Sequence, residues 1–181
     1  GLLVYRQEMG SASQTGVVAA VTAADYRASV IAVHEHTRPD KENDRTEHIE
    51  ALGAHDEPVF LMYRPAAPGA SRVAEVLAGV TAGEPDYVLE RDGVRHTMWT
   101  VAEAADVEAL EAAFAETPVL YVADGHHRSA AAARLAAKDP RPGAAEFPAV
   151  VFPSDELTIL AYNRVVRDLC GLTAAAFVEA L

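Results

Sequence analysis

The chain has 181 residues, half of them hydrophobic, a net charge of −12 and a single cysteine. That is enough apolar material for one well-buried domain, and it excludes a disordered chain. The acidic balance speaks against nucleic acid or an anionic membrane as a partner, since either needs a basic face.

Leu2 to Glu8 alternates as a strand does, and after a polar loop over Gly10–Gly16 a second strand runs from Val17 to Val21, giving a hairpin with a long turn. Ala23–Arg27 fits one helical turn, and Val30–Val33 is a short apolar strand that delivers His34-Glu35-His36-Thr37. Thr37 is suited to cap a charged helix from Pro39 to about Ala54, in which Lys41, Asp44, Arg45 and His48 share one face. Pro58–Tyr63 reads as a buried strand, Pro65–Gly69 as a loop and Arg72–Leu77 as a short helix. Tyr87–Glu90 and Val94–Val101 flank Arg91-Asp92-Gly93, the clearest hairpin signal in the chain. Glu103–Ala115 places Val107, Leu110 and Phe114 at helical spacing.

Pro118–Ala123 is the central strand. It stops at Asp124-Gly125-His126-His127-Arg128, and an alanine-rich helix over Arg128–Lys138 follows. After the break at Asp139–Gly143, two more strands are expected over Phe147–Phe152 and Thr158–Val166, and a last helix from Thr173. Hairpins and strand-helix-strand crossings together predict an α+β fold: one domain over residues 1–181, with a mixed β-sheet and flanking helices. Starting in a strand and stopping in a helix, those residues read as a piece of a longer protein. Cys170 has no internal disulfide mate, and no run is long and apolar enough to span a bilayer. A cytoplasmic setting with no membrane partner is therefore expected.

The chemistry gathers at the two strand ends. Asp124 can cap the helix that follows, Gly125 lets the backbone turn sharply, and the first amides face outward with the positive end of the helix dipole behind them. With Arg128 as a planar fork, Gly125, His126, His127 and Arg128 make an anion site, best matched to phosphate. At the other junction, Glu35 beside His34 is the usual material of a general base, while Lys41 and Arg45, one turn apart, can neutralise a polyphosphate. A metal alternative uses His34 and His36, which alternate along an extended segment, with Glu35 and His126. Magnesium bridging phosphates through Asp124, Asp44 or Glu35 is more natural. A third group, Tyr162-Asn163-Arg164, offers Asn163 and Arg164 to orient a substrate.

Four segments taken together resemble a large bacterial family known only as a domain of unknown function, number ten-fifteen. They are Tyr5-Arg6-Gln7, His34-Glu35-His36-Thr37 with Lys41 and Asp44-Arg45, Ala123 to Arg128, and Tyr162-Asn163-Arg164. No activity comes with that resemblance. More distantly, Asp124 to Arg128 and the alanines beyond are similar to the phosphate-binding turn of the ParB and sulfiredoxin fold, which includes nucleotide-dependent free-serine kinases. That resemblance implies phosphate contacts from Gly125, His126, His127 and Arg128, with Asp124 holding magnesium or the acceptor.

The expectation is thus a nucleotide-dependent kinase with Mg2+ and ATP or ADP, acting on a small metabolite such as an amino acid. Glu35, His34 and Asp124 would be catalytic. The partners would be a small-molecule nucleotide and metabolite. The alternatives are a nucleotide sensor without turnover, or a metal-dependent hydrolase on His34, Glu35, His36 and His126.

Overall fold

A computed structural model describes residues 1–161 and 163–181. The described residues form an α+β domain around one eight-stranded mixed sheet. Its strands are β1 (Leu3–Met9), β2 (Ala12–Thr22), β3 (Ile31–Ala32), β4 (Val59–Tyr63), β5 (Tyr87–Arg91), β6 (Val94–Thr100), β7 (Leu120–Asp124) and β8 (Glu146–Pro153). Across the sheet their order is β3-β7-β4-β8-β2-β1-β6-β5. The helices are α1 (Ala23–Arg27), α2 (Pro39–Leu52), α3 (Ala70–Thr81), α4 (Ala104–Glu116), α5 (His126–Lys138) and α6 (Ala174–Glu179). No described helix is long and apolar enough to cross a membrane.

The main core follows from strand alternation. Val59, Leu61 and Tyr63 of β4, with Val122, Val4, Val17 and Val151 on neighbouring strands, bury one side chain in two against Val73 and Leu77 of α3 and Leu110 of α4. Phe60 and Met62 point to the other sheet face, where Phe60 stacks on Phe152 with ring centroids 4.8 Å apart and Tyr5 meets Phe152 edge-on. A smaller apolar contact, Ile49 on Ala131 and Leu135, docks α2 against α5.

Three expectations are corrected. The first hairpin is tight, not long: Met9 pairs with Ala12, so Gly10-Ser11 is a two-residue turn with glycine in its first position. Residues 12–16 look like a loop because β8 pairs with β2 only from Val17 onward. Their polar side chains answer β1 instead, Gln14 donating to Gln7 and Arg6 to Thr15. The second correction is α3, which spans Ala70–Thr81 and so outruns the short helix expected.

The third is the strand expected over Thr158–Val166, which does not form among the described residues; Tyr162 lies outside them. Both neighbours of β8 are already taken by β4 and β2. β-branched residues favour a strand only where a partner ladder is open to them, and Ile159 and Val165 stand exposed.

Candidate functional site

Pairing brings the two polar junctions together. Strand β3 lies parallel to β7, with Ile31 opposite Leu120 and Ala32 opposite Tyr121. Both chains therefore leave the sheet at the same end, and continuing the register puts His34 level with Ala123. Ligands of open sheets gather outside the carboxyl ends of such parallel strands.

Helix α5 begins at His126, and its N-cap is Gly125 at φ 96°, not Asp124 as expected. The Asp124 carboxylate instead accepts from Arg128 one turn on. Glycine is needed here twice over. The left-handed backbone excludes most other residues, and an added Cβ would sit 3.1 Å from the Arg128 guanidinium folded back over the turn. No side chain caps the first amides of α5. Helix α2 starts differently: its N-cap is Arg38, whose side chain makes no cap bond, Pro39 at the first helical position has no N–H, and the Asp40 carboxylate accepts from the amides of Asp40 and Lys41. Thr37, the cap expected from the sequence, donates to Glu42 instead. The Arg38 N–H donates to His127 Nε2 at 3.2 Å, so the amino termini of α2 and α5 converge on one crevice.

The imidazole of His126 is the buried centre of that crevice, 5 % exposed. His34 meets it edge-on with ring centroids 4.4 Å apart, and Glu35 Oε2 lies 3.9 Å from its Nδ1. Its Nε2 is buried and has no hydrogen-bond partner among the described residues. His36 is absent from this group: the chain bends at Glu35, which breaks the alternation expected to align His34 with His36 and offers Glu35 in its place.

Burial holds the His126 imidazole below its ordinary range, and the neighbouring His34 adds to this against the pull of Glu35 and Asp124. Burial likewise lowers His55. Between those lowered values and about 6.5, the unfolded chain binds more protons than the folded one. The sign is then fixed, and stability should fall as pH drops below that value. Calorimetric melts from pH 7.5 to 5.5 should show a declining Tm, shallower in His126→Asn; a Tm that climbs on acidification would contradict the burial of both rings.

Arg128 is engaged by the protein itself. It donates to Asp124 and to the Pro58 carbonyl, and its Nε lies 3.7 Å from Glu57. It therefore ties β4 to the start of α5 as well as lining the turn. Arg45 approaches from α2, sharing a small cavity with Arg128, His55 and Asp56. Lys41 is exposed on α2 and unpaired among the described residues. Asn163 and Arg164 are exposed in an irregular stretch, with no strand end to aim them. Tyr5 and Arg6 serve the sheet, Tyr5 Oη lying 2.6 Å from His96 Nδ1 and Arg6 standing over the Trp99 ring.

Beside the crevice opens a pocket of about 590 Å³, lined by Gln14, His34, Phe60, Met62, Asp124 and Ile159 among others. That is the size of an ordinary small-molecule site, and it is mostly apolar with a few polar groups in its lining. Phe60, Met62 and Gln14 were not among the residues singled out from the sequence. The signal for the first two was available: Val59–Tyr63 is apolar on both alternations, so its second face had to be covered by something.

A family profile described as "Protein of unknown function (DUF1015)" matches residues 1–181. No curated protein and no solved structure matches the chain. The likeness to the ParB and sulfiredoxin fold expected from the Asp124–Arg128 turn is therefore not shown.

Proposed function

The chain belongs to the DUF1015 family, whose function is unknown, and from its own crevice we propose a phosphate- and nucleotide-binding domain that transfers a phosphoryl group to the hydroxyl of a small metabolite such as an amino acid. The observation that supports this reading is the amino terminus of α5, whose first amides no described side chain caps, beside a pocket of nucleoside size. That terminus presents free N–H groups and about half a positive charge. Glu35 and Asp124 make the crevice too acidic for a bare polyphosphate, which fits ATP or ADP arriving with Mg2+.

In the transfer, the acceptor oxygen bonds to the terminal phosphorus, the bond from phosphorus to its bridging oxygen breaks, and ADP leaves from ATP, or AMP from ADP. Glu35 takes the hydroxyl proton, with His34 beside it. The amides of α5, with His126, His127 and Arg128, hold the phosphates. Arg45 adds positive charge behind Arg128, and Lys41 must swing inward from α2 to contribute. Orientation of the acceptor by Asn163 and Arg164 requires the stretch after Ile159 to close over the pocket. Phosphoryl transfer asks for positioning and charge cancellation and for little else.

Calorimetric titration with ATP or ADP and Mg2+ tests the reading. Wild type should bind, and His127→Ala should bind at least about tenfold more weakly, the loss of one charge-assisted phosphate contact. His127 is the simpler probe, because it makes one bond among the described residues, to the Arg38 N–H, whereas Arg128 is held by Asp124, Glu57 and the Pro58 carbonyl. No binding at millimolar nucleotide, or equal affinity in the variant, would sink the proposal. Binding without turnover on any hydroxyl acceptor would leave a nucleotide sensor. A metal-dependent hydrolase draws on the same His34, Glu35 and His126, and the cluster they form is the observation in its favour.

A further inference from the structure

We propose that His34, Glu35 and His126 form a binding site for one divalent transition-metal ion of the zinc, manganese or iron class. Each offers a ligand atom, and the three atoms all lie within 4.8 Å of one another. An ion bonded at about 2.1 Å to each of three such ligands holds them roughly 3 to 4 Å apart. Closing the remaining gap is easy for this set, because His34 and Glu35 are exposed side chains on the stretch after β3.

The donor set selects the ion. Two imidazole nitrogens and one carboxylate oxygen suit zinc, manganese and iron, and are a poor match for magnesium or calcium, which take oxygen. Three ligands leave coordination positions open on the crevice side.

The ring contacts support the same centre. His126 is 5 % exposed, and it turns Nδ1 toward Glu35, 3.9 Å from Oε2, while its ring centroid lies 4.4 Å from that of His34. A buried imidazole held against a second imidazole and a carboxylate is the arrangement that an ion of this class completes. The position of His126 also fixes the site, since its ring is held by the first turn of α5, while the other two ligands come to it from the neighbouring parallel strand.

This inference goes beyond the phosphate reading and does not depend on it. An ion held here would occupy the carboxylate that the phosphoryl reading uses as a base. The test is therefore run without nucleotide. Purified full chain, stripped with chelator, is titrated with Zn2+, Mn2+ and Co2+ by calorimetry, and the Co2+ form is followed by its visible absorption. Wild type should bind one equivalent, and His34→Ala and Glu35→Gln should each weaken binding by at least about tenfold, in the range set by loss of a ligand or its support. Both variants alter exposed side chains, so their melting temperatures without metal should stay close to wild type, which separates a lost ligand from a lost fold. His48→Ala, which disrupts the exposed His48–Asp56 pair at 3.1 Å, should bind as wild type does. Absence of saturable binding overturns the proposal. So does binding that survives in both His34→Ala and Glu35→Gln, or that disappears in His48→Ala. Metal binding in a protein that ignores nucleotide would leave this site standing and remove only the phosphate reading.

Discussion

Gly69→Ala should destabilise the protein by about 3–5 kcal/mol, the sum of roughly 1–2 for a non-glycine residue in left-handed backbone and the rest for overpacking. Gly69 is the N-cap of α3 at φ 82°, and a Cβ there would lie 2.0 Å from the Ala113 carbonyl oxygen. That neighbour is backbone and cannot swing aside. It is also fixed from its own side, because the Thr117 hydroxyl shares its one proton between the Pro68 and Ala113 carbonyls, at 3.1 and 3.2 Å, and so links the start of α3 to the end of α4. Making room means moving α4, which carries the fully buried Leu110. For a chain of this size the loss corresponds to a Tm lower by roughly 6–20 °C. Gly79→Ala is the internal comparison: its added Cβ meets nothing within 4 Å, and the site is helical, so it should be neutral or slightly stabilising. Equal melting of the two variants would show that the α3–α4 contact is not as tight as drawn.

Glu35→Gln should lower phosphoryl transfer by about 10²–10⁴-fold, the usual contribution of a positioned general base. Nucleotide affinity should stay within a few-fold, because the phosphates are held by α5 and not by Glu35. The side chain is exposed and its only described partner is His126 at 3.9 Å, so the change leaves the core intact. Single-turnover kinetics with bound nucleotide separate the two quantities. A variant that transfers at the wild-type rate removes Glu35 from the chemistry. Metal content measured on the same sample tells whether the lost function was that of a base or of a ligand.

Much of the fold is legible in the sequence. Seven of the strands lie where alternation and turn chemistry put them, because Asp92-Gly93 and the apolar run into Asp124 are strong local signals. The two polar junctions were also visible as places where an apolar run stops at ligand-capable residues. Their meeting was not, since it depends on the pairing of β3 with β7, and two residues of strand carry almost no sequence signal. The division of labour within each junction was equally hidden. A bend at Glu35 decides that Glu35, and not His36, joins His34. Gly125 takes the cap because Arg128 claims the Asp124 carboxylate. The strand expected around Ile159 failed for a non-local reason, the absence of a vacant neighbour beside β8.

The hold of β3 on the sheet is slight: two paired residues, Ile31 and Ala32, and the bond from the Leu120 amide to the Val30 carbonyl. On its other side the stretch bearing His34 and Glu35 runs into α2, which Ile49 and the Arg134–Glu42 pair hold against α5, while His126 is rooted in a thirteen-residue helix. Local opening costs least where few contacts must break. The weak point of the crevice is thus the β3 rim, and a ligand bridging His34 and His126 would brace it.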